Sequence, residues 1–123
     1  WGALLRVIGG AGDPATRIEN RLGEPAANPY LYFAAQIHAG LDGLARGLAP
    51  PLATDAPYDP DAERLPASLA DGLDALRADA TLAQAFGAPF IDYYDRAKRS
   101  EARRFAQAED TRDFEQREYF SRI

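Results

Sequence analysis

Apolar positions along this chain follow one spacing at the start and another for the rest. Residues 3 to 8, Ala-Leu-Leu-Arg-Val-Ile, form a short apolar run bounded by glycines, which predicts a strand. Gly9 to Ala15 carries three Gly and one Pro and reads as a loop. Thr16 to Leu22 predicts a second strand, and the short connection suits an antiparallel pair. From Asn28 the spacing becomes helical. Asn28 before Pro29 sets an N-cap ahead of a residue favoured at the first helical position. Tyr30, Phe33, Ala34, Ile37, Leu41, Leu44 and Leu48 then form one apolar stripe. Gly43 and Gly47 weaken its end, and Pro50-Pro51 forbid continuation.

Ala49 to Pro66 is rich in Pro and Asp without periodicity, so an exposed connection is expected, long enough for a functional or docking loop. Ser68 with Asp71 resembles a capping box, and Leu69, Leu73 and Leu76 give the next helix its face. Gly87 and Pro89 divide a short helical piece from a long helix over about Pro89 to Glu109. A last helix is expected near Arg112 to Ser121. One Val and five Ile against 25 Ala and 13 Leu support a mainly helical content. The expected fold class is α+β, a short antiparallel strand pair followed by about four helices. Two strands do not close a sheet, so further strands are expected upstream.

Composition narrows the function classes. A chain of 123 residues is the size of one domain. Cysteine is absent, which excludes disulfide scaffolds, thiolate zinc sites and cysteine nucleophiles. A formal net charge of -5 opposes a nucleic-acid footprint over the whole surface. No apolar run reaches the roughly 18 residues of a membrane span, and no charged-then-apolar leader is read at the start, so a cytoplasmic location is expected. Met is absent even at position 1, so the chain is expected to begin inside something larger. Thirteen of the fourteen cationic residues are Arg, whose forked guanidinium suits carboxylate and phosphate.

The chemistry concentrates in Arg17-Ile18-Glu19-Asn20-Arg21. On a strand, Arg17, Glu19 and Arg21 share one face and Ile18 takes the other. Two readings follow. The row is either an exposed, salt-bridged strand face of small energetic worth, or a site that holds anions with its arginines and a divalent cation with Glu19. Arg6 on the neighbouring strand adds a third positive group, of the kind phosphoryl transfer needs. Spacing alone does not choose between them. The Gly-rich loop lacks the Gly-Lys-Ser/Thr ending of a phosphate-binding loop.

Residues 15 to 44 resemble the glutamine synthetase family through Arg17-Ile18-Glu19-Asn20-Arg21 and through Ala27-Asn28-Pro29-Tyr30-Leu31. Weaker similarity continues through Leu65-Pro66, Ser68-Leu69, Lys98-Arg99, Glu101 and Glu115 to Phe120. The resemblance covers most of the chain, as the C-terminal segment of such a catalytic domain. It implies ATP-dependent ligation: phosphorylation of the glutamate side-chain carboxylate, then displacement of phosphate by ammonia or a polyamine-type amine, with Mg²⁺ or Mn²⁺ present. By matching positions, the resemblance makes Glu19 a metal ligand and Arg21 the catalytic arginine that contacts glutamate. It makes Arg6 a contact to ATP phosphates, with Arg17 helping to hold nucleotide. A companion arginine of the Arg6 motif would fall at position 1, where Trp1 stands. Family members form ring-shaped homo-oligomers, so a homo-oligomeric parent is expected, with the isolated 123 residues inactive. A reading from another class is a truncated, non-catalytic helical module that associates with partners.

His38, the single histidine, is expected to be structural or exposed. Tyr58 lies where some bacterial relatives carry a nucleotide-modified tyrosine, though its surroundings differ. Arg96, Lys98, Arg99, Arg103 and Arg104 charge the long helix, with Asp92–Arg96 and Asp95–Arg99 as favourable pairs four apart, suggesting a solvated or intersubunit face. Phe86, Phe90, Tyr93, Tyr94, Phe105, Phe114, Tyr119 and Phe120 are expected to be mostly core, with some exposed apolar patches promoting self-association.

Overall fold

The computed structural model describes residues 4–53 and 64–120. Trp1 and Tyr58 lie outside the described residues. The chain divides into two compact units, one containing the N-terminal hairpin and one containing Asn28–Leu48 with Arg64–Ile123. The class is α+β, as the sequence led us to expect.

In the first unit, β1 (Leu5–Ile8) and β2 (Arg17–Asn20) pair antiparallel, both shorter than the apolar runs that predicted them. Partners are Leu5 with Asn20, Arg6 with Glu19, Val7 with Ile18 and Ile8 with Arg17. The connecting loop is tied internally. Thr16 Oγ1 accepts from Gly10 N–H at 3.0 Å and donates to Gly10 C=O at 2.8 Å, while Asp13 Oδ1 accepts from Ala15 N–H at 2.8 Å. Gly9 adopts φ +89°, and a Cβ there would lie 2.7 Å from Thr16 Cα, so the turn at the end of β1 admits only glycine.

The second unit is helical. Asn28 caps α1 (Pro29–Ala45), its Oδ1 accepting from the N–H groups of Tyr30 and Leu31 at 3.0 and 3.2 Å. The helix stops before the expected Leu48. Leu48 N–H bonds Gly43 C=O at 2.9 Å and Gly47 N–H bonds Leu44 C=O at 3.2 Å, a Schellman closure with Gly47 at φ +60°. Ser68 caps α2 (Leu69–Ala78), as its capping-box spacing predicted. Asp79 then ends α2 and caps α3 (Ala80–Phe86), accepting from Leu82 N–H at 2.9 Å. Gly87 separates α3 from α4 (Ala88–Ala106). The expected last helix is two pieces, α5 (Thr111–Glu115) and a π-helical turn over Gln116–Phe120.

Helix α2 packs on α4, and α1 on α3. The buried apolar side chains among the described residues are Leu73 of α2, 2% exposed, and Ile91 of α4, 5%. The expectation of an aromatic core needs correcting. Phe86, Phe90, Tyr94, Phe114 and Tyr119 are half-buried, and Tyr93 and Phe120 are exposed. They work as a ladder instead: Phe86 stacks on Phe90 with centroids 5.3 Å apart, and Phe90 on Tyr94 at 5.8 Å. His38 closes the ladder edge-on against Phe86 at 6.0 Å, in keeping with a structural histidine.

Candidate active site

The hairpin decides which charged groups meet. Arg21 N–H bonds Leu4 C=O at 2.9 Å, so the ladder runs one residue beyond β2. Backbone alternation therefore puts Arg6, Arg17, Glu19 and Arg21 on one side, and Leu5, Val7 and Ile18 on the other. The apolar side is open, Val7 and Ile18 being 72% and 70% exposed.

On the charged side, register brings together Arg6 and Glu19. Arg6 Nε lies 2.7 Å from Glu19 Oε2. The Glu19 side chain is 39% exposed, yet Oε2 itself is covered and accepts no hydrogen bond. The contact is thus one of charge without hydrogen-bond alignment. Arg17 turns away from Glu19 to its own loop, Nη1 donating to Ala15 C=O at 3.0 Å. Asn20 Oδ1 accepts from Leu22 N–H at 2.9 Å, closing an Asx turn that fixes the backbone on both sides of Arg21.

A divalent cation can be tested against these groups. Glu19 offers a hard carboxylate oxygen without a hydrogen bond, which fits one ligand position. Among the described residues no group of three or more His, Cys, Asp or Glu side chains stands ready to hold a metal ion. The hairpin therefore fits the group as a contributor of one ligand.

A second constellation, unforeseen in the sequence, lies within the helical unit. Glu101 of α4 is 7% exposed and satisfied at both oxygens. Lys98 Nζ donates to Oε2 at 2.7 Å, and the Tyr119 hydroxyl donates to Oε1. Lys98 also stands 5.4 Å over the Tyr119 ring. Burial, and next the Glu101 hydrogen bond, push the Tyr119 phenol above its usual range. Beside these groups is a cavity of about 480 Å³ lined by Ser68, Leu69, Glu101, Phe105, Phe114 and Tyr119. Arg104 grips Glu118 with two parallel bonds of 2.7 and 2.9 Å, and that hydrogen bond raises its guanidinium pKa further. The positive charge of the long helix is thus partly consumed inside the fold. Asp95–Arg99 forms as expected at 2.9 Å, with Asp74 on the same guanidinium. Asp92 instead takes Arg77 of α2 at 3.0 Å, not Arg96.

Comparison with known proteins bears on the hairpin directly. The family model described as "Glutamine synthetase, catalytic domain" matches residues 2–119. A gamma-glutamylanilide synthase of Acinetobacter sp is 46% identical over 97% of this chain and 26% of its own length. Human lengsin is 44% identical over 73% of the chain and 18% of its length. A glutamine synthetase of Methanocaldococcus jannaschii is 36% identical over 80% of the chain and 24% of its length. The chain spans roughly a quarter or less of these relatives. With the catalytic-domain match running through the charged hairpin and the helices that follow it, this chain belongs to the glutamine synthetase family.

Proposed function

We propose that this chain is the C-terminal segment of the catalytic domain of an ATP-dependent ligase that joins glutamate to ammonia or an amine. The observation that supports this reading best is the Arg6–Glu19 pairing on a strand face shared with Arg17 and Arg21, inside a chain whose family match covers residues 2–119. Glu19 contributes one carboxylate to Mg²⁺ or Mn²⁺. Arg6 and Arg17 hold ATP phosphates, and Arg21 binds the substrate glutamate.

In this scheme a γ-carboxylate oxygen of glutamate attacks the terminal phosphorus of ATP, and ADP leaves. The amine nitrogen then attacks the resulting γ-glutamyl phosphate at its carbonyl carbon. Inorganic phosphate leaves with the bonding electrons, and the nitrogen loses a proton. The divalent cation, when bound, neutralises phosphate charge. Arg6 and Arg17 stabilise the charge on the transferring group, on backbone that need not reorganise as the reaction proceeds. Arg21 fixes the glutamate so that its carboxylate meets the phosphorus in line.

The relatives' names support one kind of acceptor over the other. Gamma-glutamylanilide synthase is named for an aromatic amide and is 46% identical, against 36% for the archaeal glutamine synthetase. An aromatic amine is therefore the acceptor favoured over ammonia. On this reading the parent is a homo-oligomer, and the 123 residues alone do not turn over.

The deciding experiment is a coupled ADP-release assay on the full-length parent with glutamate, ammonia and a panel of amines. Glu19→Ala is expected to abolish metal-dependent release; undiminished turnover would reject the assignment. The non-catalytic association module draws support from the open stripe on α1, where Tyr30 and Leu44 are 82% and 80% exposed. A parent that releases no ADP with any acceptor would favour that reading.

A further inference from the structure

We infer that the cavity beside Glu101 binds a small organic ammonium ion, its charge held by a carboxylate and aromatic rings and its apolar body enclosed by the helices. This goes beyond the ligase reading and is argued from the lining of the cavity alone. A volume of about 480 Å³ is that of a small-molecule site, and every residue lining it belongs to the helical unit. The first turn of α2 forms one wall, the C-terminal part of α4 a second, and α5 with the π-turn a third. Ala67, Ala70 and Ala102 meet the cavity with single methyl groups, too short to fill the gap between these elements. Phe105, which also lines it, is 39% exposed, apolar surface that a ligand's body would take out of water.

The sign of the ligand follows from the charges around this space. Its charged lining among the described residues is Glu101 and Glu115, with no Arg, Lys or His. Lys98 neutralises Glu101, whereas Glu115 has no hydrogen bond or ion pair among the described residues. One negative charge is therefore left over at the cavity. The rings around it already attract cations: Lys98 stands 5.4 Å over Tyr119 and Arg104 stands 5.6 Å over Phe114. Phe105 meets Phe114 edge-on at 5.6 Å, which extends the same aromatic cluster. An anion has less to gain. The positive end of α2 would attract one, but Asp71 already occupies that first turn and accepts from Ser68 Oγ at 2.7 Å.

The test uses the full-length parent without ATP or glutamate, so its outcome does not depend on turnover. Benzylamine, protonated at neutral pH, is the probe, and amide hydrogen exchange read by mass spectrometry locates where it binds. Benzylamine is expected to slow exchange over residues 67–70 and 101–119. Benzyl alcohol, of the same shape without the charge, and benzoate, of opposite charge, are expected to give little protection there. Glu115→Gln, a change on an exposed side chain, is expected to weaken the protecting affinity for benzylamine by about fivefold, the upper range of an exposed ion pair. Ala102→Leu fills the cavity and is expected to remove the protection. Absence of protection by benzylamine in the parent, equal or stronger protection by benzoate, or undiminished affinity in Glu115→Gln would each overturn the site. Failure of the ligase reading looks different, since it is read from ADP release and leaves this exchange pattern unchanged.

Discussion

The Tyr119 hydroxyl donates to the buried carboxylate of Glu101, eighteen residues earlier in the chain, and so binds the π-helical turn to the C-terminal part of α4. Lys98 neutralises the same carboxylate. A π-turn shifts side chains relative to an α-helix of the same sequence. Here it lets neighbouring Glu118 and Tyr119 both reach α4, one to Arg104 and one to Glu101.

Tyr119→Phe keeps the ring and removes only the donor. Glu101 Oε1 then loses its partner while Oε2 keeps Lys98. A hydrogen bond to a charged group contributes about 1.5–3 kcal/mol, and half-burial places this one near the lower bound. Amide hydrogen exchange over residues 116–120 is expected to accelerate by roughly tenfold, with β1 and β2 unchanged.

The raised phenol of Tyr119 gives this contact a pH dependence of definite sign. A group that binds its proton more tightly when folded stabilises fully below its unfolded pKa of 10.0, and that contribution is lost as pH rises through the higher folded value. The C-terminal turn is therefore expected to loosen above about pH 10. Amide exchange of residues 116–120 across that range tests it. Tyr119→Phe should show a flatter alkaline profile than the parent.

Leu73 is the most buried apolar side chain among the described residues. Leu73→Ala is expected to destabilise the α2–α4 pair by about 2–4 kcal/mol, the lost transfer energy plus the cavity left behind. Hydrogen exchange of the α2 and α4 amides in urea measures it. A cost below about 1 kcal/mol would mean the site collapses without a cavity.

On α1 the residues with the strongest apolar periodicity face outward. Tyr30, Phe33, Ile37, Leu41 and Leu44 are all exposed, while His38 meets α3. An apolar stripe of this length drives association. The isolated chain is expected to elute from size-exclusion columns with concentration-dependent mass, and Ile37→Asp with Leu41→Asp to shift it toward the monomer.

On the proposed reading Arg21 binds glutamate, separately from the nucleotide groups. Arg21→Ala in the parent is expected to raise the KM for glutamate by at least tenfold with a much smaller change in the KM for ATP, since an arginine–carboxylate contact contributes about 1.5–3 kcal/mol. Steady-state kinetics with each substrate varied in turn separates the two. Equal effects on both would place Arg21 elsewhere.

Much of this was legible in one dimension because its causes are local. A cap and the N–H groups it satisfies lie within three residues, so Asn28 and Ser68 announced α1 and α2. The alternation of Arg17, Glu19 and Arg21 needs only an extended backbone, and β2 supplies it. The burial of the aromatics was misread because periodicity marks a face as apolar without saying what covers it.

Partner choice lay beyond the sequence. Glu19 had three arginines within plausible reach on its face, and strand register gave it Arg6. Asp92 had Arg96 four residues on, but packing of α2 against α4 gave it Arg77. Glu101 met Tyr119 only because a π-turn carried the phenol back to α4. Secondary structure and the charged face were thus determined by interactions between residues a few positions apart. Ion-pair identity was decided by distances between separate elements, and charge attraction falls off too fast, and is screened too well by water, for composition alone to select the partner.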